Sequence, residues 1–167
     1  MAASLNITIF INPAGNARGE YLIELREGEK SIAQVQTSID RQTLLEHEHE
    51  YSPHAYGMEL YHAVFTGRLG REYQRLVGRA GTETTVRVQL VISPFAPELH
   101  SLPWERLFHI FGDVETPLAT AAQTPFSRFL VSGAADQPQV QDPIVRMLVA
   151  IASPTGLPNG CSPLEAV

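Results

Sequence analysis

Cysteine occurs once in the chain, at Cys161, which rules out an internal disulfide framework and suits a reducing compartment. An excess of basic residues is missing as well. Twelve Lys and Arg stand against 18 Asp and Glu for a net charge of −6, so a phosphate-tracking surface is not expected, and neither is nucleic acid as a partner. Long apolar runs are equally scarce. The longest, Met147 to Ala152, falls far short of a bilayer span, and the N-terminus lacks the basic, apolar and small-residue order of a signal peptide. No membrane association is expected, and a cytoplasmic location is. What remains is 167 residues, 44% of them hydrophobic, with mean hydropathy near zero at −0.06. That describes a globular chain with enough apolar material for a real core.

The hydrophobic period changes several times along the chain. Asn6 to Ile11 alternates with Ile7, Ile9 and Ile11 on one face, Asn12 to Asn16 turns, and Tyr21 to Arg26 alternates again. The two runs read as an antiparallel strand pair. Glu27 to Lys30 is a further turn, and Ser31 to Leu45 fits either a helix or a third short strand. From Pro53 the spacing is helical, with Met58, Tyr61, Phe65 and Leu69 in one stripe and Leu60 and Val64 widening it. Gly67 and Gly70 are expected to split this into two helices, the second carrying Tyr73, Leu76 and Val77 and ending at Gly78 and Gly81. Val86 to Ile92 then alternates, Val86, Val88, Leu90 and Ile92 inward against Arg87 and Gln89 outward. Ser127 to Ser132 reads as a strand, and a Pro- and Gln-containing linker follows from Ala134 to Pro143.

Ile144 to Ala152 differs in kind, being nearly continuous in apolar residues. That pattern suits a strand covered on both faces, as in a parallel sheet, yet only Ser153 to Val167 follow it. A parallel neighbour needs a crossover of a dozen or more residues and then a strand. The chain therefore reads as stopping inside a βαβ unit, with 1–143 as an α+β part and 144–167 as the incomplete start of a second. A partner chain, or self-association through 144–152, is expected to cover that strand.

The only tryptophan sits in Leu99-His100-Ser101-Leu102-Pro103-Trp104-Glu105-Arg106-Leu107-Phe108. Proline is tolerated in a first helical turn and Ser101 is placed to cap one, so a short helix is expected. Trp104, Leu107 and Phe108 would then share a face, with Glu105 near the positive end of the dipole. A glutamate beside an indole can serve as a general acid. Nothing nearby in sequence supplies a second catalytic group, so the run reads as a structural anchor.

Five blocks in order now point to a family: Gly57 to Phe65, Val86 to Leu90, Pro97-Glu98-Leu99 leading into Leu102-Pro103-Trp104-Glu105, Thr124 to Leu130, and Arg146 to Val149. Together they resemble the N-terminal half of CHAT domains, caspase-like cysteine peptidase domains related to caspases and separase. Such domains are common in bacterial signalling and defence proteins and are often joined to tetratricopeptide repeats. The similarity covers roughly 54–167. It implies that the segment from Arg146 is the first strand of a caspase-like sheet. The expected fold is thus α+β: a mixed or antiparallel sheet of the early strands and Val86 to Ile92, two central helices on one face, then the first parallel strand of a truncated caspase-like α/β core.

The family's catalysis uses a His-Cys dyad, the histidine in a His-Gly loop and the cysteine in an Ala-Cys context after later strands. Neither motif occurs here. His47, His49, His54, His62, His100 and His109 all precede Arg146, and none is followed by glycine. Cys161, in Asn159-Gly160-Cys161-Ser162-Pro163, has no candidate base in its local sequence and reads as an ordinary thiol. Glu46-His47-Glu48-His49-Glu50, with His54 and His62 nearby, offers metal-ligand types without the His-Glu-x-x-His spacing, and reads as a solvated loop. Asn12 to Gly19 contains glycine but lacks the Gly-Lys-Ser/Thr ending of a phosphate loop. No catalytic, cofactor-binding or metal residue is assigned, and no cofactor is expected.

Two functions follow as expectations. One is the non-catalytic N-terminal portion of a CHAT-type peptidase, supporting a core supplied elsewhere. The other is a stand-alone binding or adaptor module in a bacterial signalling or defence complex. An independent enzyme built on Glu105 or the histidine run finds no convergent acid, base and nucleophile.

Overall fold

In the computed structural model, contacts divide the chain into two units, Met1–Gly133 and Ala134–Val167. The residues described are 4–15, 18–50, 52–81, 84–111, 114–121 and 124–130. The expected strand at 144–152, the boundary at 143/144, the last residues of the 127–132 strand and Cys161 lie outside them.

The described residues form an α+β unit on a five-stranded mixed sheet. Strands β1 (Ser4–Pro13), β2 (Glu20–Glu27) and β3 (Lys30–Ser38) make an antiparallel meander, and β4 (Thr85–Ile92) and β7 (Phe126–Leu130) extend it in parallel, in the order β3-β2-β1-β4-β7. A hairpin of β5 (Phe108–Phe111) and β6 (Val114–Pro117) stands apart. The register places Ile9 beside Leu25 and Leu90, and Ile11 beside Ile23 and Ile92. Alternation thus puts one apolar row per strand on a single face. Those residues join Leu44, Leu60, Leu69, Tyr73 and Leu76 in one buried cluster, so the helices cover that face.

Three helices do so, where two were expected. The ambiguous run 31–45 contains both alternatives, β3 and then α1 (Arg41–Glu50). Asp40 separates them: its carboxylate accepts from the backbone N–H of Gln42 and Thr43 at 3.0 and 3.2 Å, satisfying donors a first turn leaves open. Glu46 to Glu50 is therefore helical rather than a solvated loop.

Helix α2 (Pro53–Val64) starts at Ser52, whose hydroxyl accepts from the Ala55 N–H, with Pro53 in the first turn. Helix α3 (Gly67–Ala80) is the second expected one, but its glycines act differently. Gly67, with φ +52°, opens it and Gly81, with φ +66°, closes it. Gly70 and Gly78 lie inside; a Cβ on Gly70 would overlap the Phe65 carbonyl, so its lack of a side chain permits a close turn instead of breaking the helix.

The tryptophan run departs most from expectation. Two 3₁₀ turns, Pro97–Ser101 and Trp104–Arg106, replace the helix, and Leu107 is already extended at φ −60°, ψ 125°. Phe108 begins β5, so Trp104, Leu107 and Phe108 do not share a helical face. Ser101 ends a turn instead of capping one, donating its hydroxyl to the Glu98 carbonyl at 2.8 Å. Pro103 explains the break: its missing N–H and fixed φ interrupt the bonding that would fuse the two turns. The anchor itself is present. Trp104 is fully buried and its indole N–H donates to the Leu99 carbonyl at 2.7 Å.

Candidate functional site

Among the described residues, those singled out by sequence do not converge. His47 on α1 meets Glu59 on α2, its Nδ1 2.8 Å from Oε1. His54, in the first turn of α2, meets Glu115 on β6 at 2.5 Å, and His62 is exposed. His47 and His54 thus stitch neighbouring elements through carboxylates. Among the described residues no group of three or more His, Cys, Asp or Glu is placed to hold a metal ion, and no described helix is long and apolar enough to cross a membrane. Glu105 is more than half exposed and faces Arg128 of β7 at 3.4 Å, a surface ion pair rather than a desolvated acid beside the indole.

Among the described histidine side chains, His109 alone is buried. Its Nδ1 lies 3.3 Å from the Tyr73 hydroxyl, and burial lowers its pKa below the ordinary histidine value. Burial also pushes the Tyr73 phenol well above its usual range. Both groups are thereby held neutral, a packed polar contact away from solvent.

Among the described residues a concave site lies elsewhere, at the carboxyl ends of the parallel strands β1 and β4. It is an open crevice of about 870 Å³. Its back wall follows from how the chain leaves each strand. Pro13 ends β1, the Ala14 N–H donates to the Glu20 carbonyl at 2.9 Å, and Gly15 and Gly19 take positive φ to turn into β2. The Ile39 N–H donates to the Gly19 carbonyl at 2.9 Å, drawing the end of β3 and the start of α1 against that turn.

The opposite wall comes from the exit of β4. There the Ser93 N–H donates to the Ile11 carbonyl and the Ala96 N–H to the Ser93 carbonyl, at 2.9 and 3.0 Å. This tight turn buries Ala96 completely and leaves Phe95 84% exposed on the rim. Phe95 thus places an apolar ring at the mouth of the crevice.

Across the crevice, Tyr21 of β2 donates its hydroxyl to Glu98 Oε1 at 2.5 Å. Burial, reinforced by that carboxylate, pushes the Tyr21 phenol up, so it stays a donor. Arg41 Nε donates to the Glu98 carbonyl at 3.0 Å and to the Ser101 hydroxyl at 2.9 Å. Arg18 lines the same space. Of these, Glu98 belongs to one of the five resembling blocks; Arg18, Tyr21 and Arg41 fall in the Asn12 to Gly19 loop, the Tyr21 to Arg26 run and the Ser31 to Leu45 run, at turn and strand-end positions with no spacing that marks a site. The one available signal was Asn12 to Gly19, whose glycines mark a tight turn after a strand.

No protein-family model, curated protein or solved structure matches the chain.

Proposed function

We propose that this chain is the non-catalytic N-terminal portion of a CHAT-type, caspase-like cysteine peptidase, a scaffold that packs beside a peptidase core supplied elsewhere and helps to position it. One observation carries the reading. The four resembling blocks that fall among the described residues are locked to one another. Gly57 on α2 lies against the Arg106 carbonyl and the Phe108 ring, which follow Leu102-Pro103-Trp104-Glu105. Val88 on β4 pairs with Phe126 on β7. Arg128, two residues further along β7, donates to the Leu102 carbonyl at 3.4 Å and faces Glu105. Blocks that are distant in sequence and interlocked in space belong together as a framework, and framework is the role the resemblance implies for this half of the domain. The core that would carry the His-Cys dyad, and its pairing with the strand expected at 144–152, belong to the same proposal.

The test is to read the frame beyond the Val167 codon and to assay the longer product. A continuation into a His-Gly loop and then an Ala-Cys motif, with peptidase activity that vanishes when that cysteine becomes alanine, supports the reading. A stop codon with no complementary chain encoded nearby overturns it in favour of the stand-alone adaptor.

A further inference from the structure

We propose that the crevice at the carboxyl ends of β1 and β4 binds a single carboxylate bearing an apolar or aromatic group, with Arg18 and Arg41 on the carboxylate and the Phe95 ring against the apolar part. The inference does not depend on the peptidase reading. Its volume, about 870 Å³, accommodates an amino-acid-sized ligand or the last residues of a peptide.

The balance of satisfied and unsatisfied groups selects the charge. Each carboxylate on the wall is already met from within the protein. Asp40 spends both oxygens on the first turn of α1, including the Thr43 hydroxyl at 2.8 Å. Glu20 accepts from Gln36 at 2.8 Å and Glu98 from Tyr21 at 2.5 Å. The guanidinium groups are not so occupied. Arg41 uses Nε to grip the 97–101 turn, which fixes the plane of its fork while its Nη groups make no described bond. Arg18 makes no hydrogen bond or ion pair among the described residues. Unspent planar forks match a carboxylate's two oxygens.

The surrounding acids set the limit on ligand charge. Glu20, Asp40 and Glu98 all line the crevice and offset much of the arginines' attraction, while the cost of dehydrating an ion rises faster than its charge, so a singly charged carboxylate is favoured over a phosphate dianion. The start of α1 is not an anion receptor, because Asp40 already takes its free N–H groups. Phe95 supplies the remaining specificity: the turn that buries Ala96 holds the ring in solvent, and an apolar ligand group covering it removes that surface from water.

Calorimetric titration of the full chain tests this. The probes are N-acetylphenylalanine and the peptide acetyl-Ala-Ala-Phe, each with a free carboxylate and as its C-terminal amide, and phenyl phosphate. The acids are expected to bind and their amides to bind at least about tenfold more weakly, as loss of a charge-assisted hydrogen bond requires. Arg18→Gln is expected to weaken acid binding about tenfold with unchanged melting temperature, and Phe95→Ala to weaken it several-fold. Peptide acid bound tenfold more tightly than N-acetylphenylalanine identifies a polypeptide C-terminus as the source, and equal binding identifies a small free carboxylate. Either supports the site. Equal binding of acid and amide, tighter binding of phenyl phosphate, binding unaltered by Arg18→Gln, or no heat with any probe up to about 1 mM overturns it.

Discussion

The seam between α2 and residues 104–110 and the crevice beneath Phe95 are built on opposite terms. In the seam, Gly57 contributes no side chain, and the space is taken by the Arg106 carbonyl and the Phe108 ring. Trp104 is sealed and its one donor is used at 2.7 Å, while Tyr73 and His109 close on each other. In the crevice, an aromatic ring stands in water and two guanidinium groups retain donors. The difference teaches where to look for recognition. Rare aromatic residues in a distinctive run mark packing here, whereas unspent donors beside open volume mark a surface still able to gain from a ligand.

Breaking the seam is expected to cost the most. Trp104→Ala removes a fully buried indole and the shorter of the two hydrogen bonds to the Leu99 carbonyl, which keeps the Leu102 N–H at 3.3 Å, for a loss of about 3–5 kcal/mol in chemical denaturation. A variant with unchanged denaturation midpoint would show that the indole anchors nothing. Gly57→Ala comes next. Its new Cβ would overlap a backbone carbonyl as well as a ring, so α2 must shift away from the 104–106 turn, at about 1–3 kcal/mol. An equally stable Gly57→Ala protein would place the two elements further apart than described.

How much of this was legible in the sequence depended on which physical constraint each segment obeyed. The period-2 rows Ile7-Ile9-Ile11 and Val86-Val88-Leu90-Ile92 announced β1, β4 and the face they bury, because strand geometry alone decides them. Ser31 to Leu45 resisted, since its switch from strand to helix rests on Asp40 folding back onto Gln42 and Thr43, a local cap within a run of mixed period. The i, i+3 and i+4 spacing of Trp104, Leu107 and Phe108 fits a helix. Pro103 and tertiary packing overrode the spacing and left two 3₁₀ turns. Gly70 reads as a breaker by residue type, whereas its close approach to Phe65 makes it a packing residue. The crevice was illegible for a different reason: Arg18, Tyr21, Arg41 and Phe95 come from four separate strand or turn ends, and only the sheet order brings them together.

A third effect sharpens the description of the seam without breaking it. Burial lowers the His109 pKa in the fold below its ordinary value near 6.5. The unfolded chain therefore takes up a proton first as pH falls, and the contribution of neutral His109 is complete above about pH 6.5 and is lost progressively below it. Unfolding free energy measured between about pH 5 and 8 should rise with pH across the lower part of that range. His109→Gln should remove that slope while retaining a polar partner for Tyr73. A slope identical in the variant would assign the pH dependence to other groups.

The smallest expected change in stability is the one that separates the two regions. Arg18 is exposed and makes no described hydrogen bond or ion pair, so Arg18→Gln should leave unfolding free energy within about 0.5 kcal/mol of the original. The same substitution should weaken carboxylate binding in the crevice, whereas Gly57→Ala, at temperatures where it remains folded, should leave that binding intact. The two variants thus exchange roles between a melting curve and a titration. A guanidinium that served to hold the fold would move both measurements together. A guanidinium kept for a ligand moves only the second, because among the described residues it makes no hydrogen bond or ion pair whose loss would cost the fold.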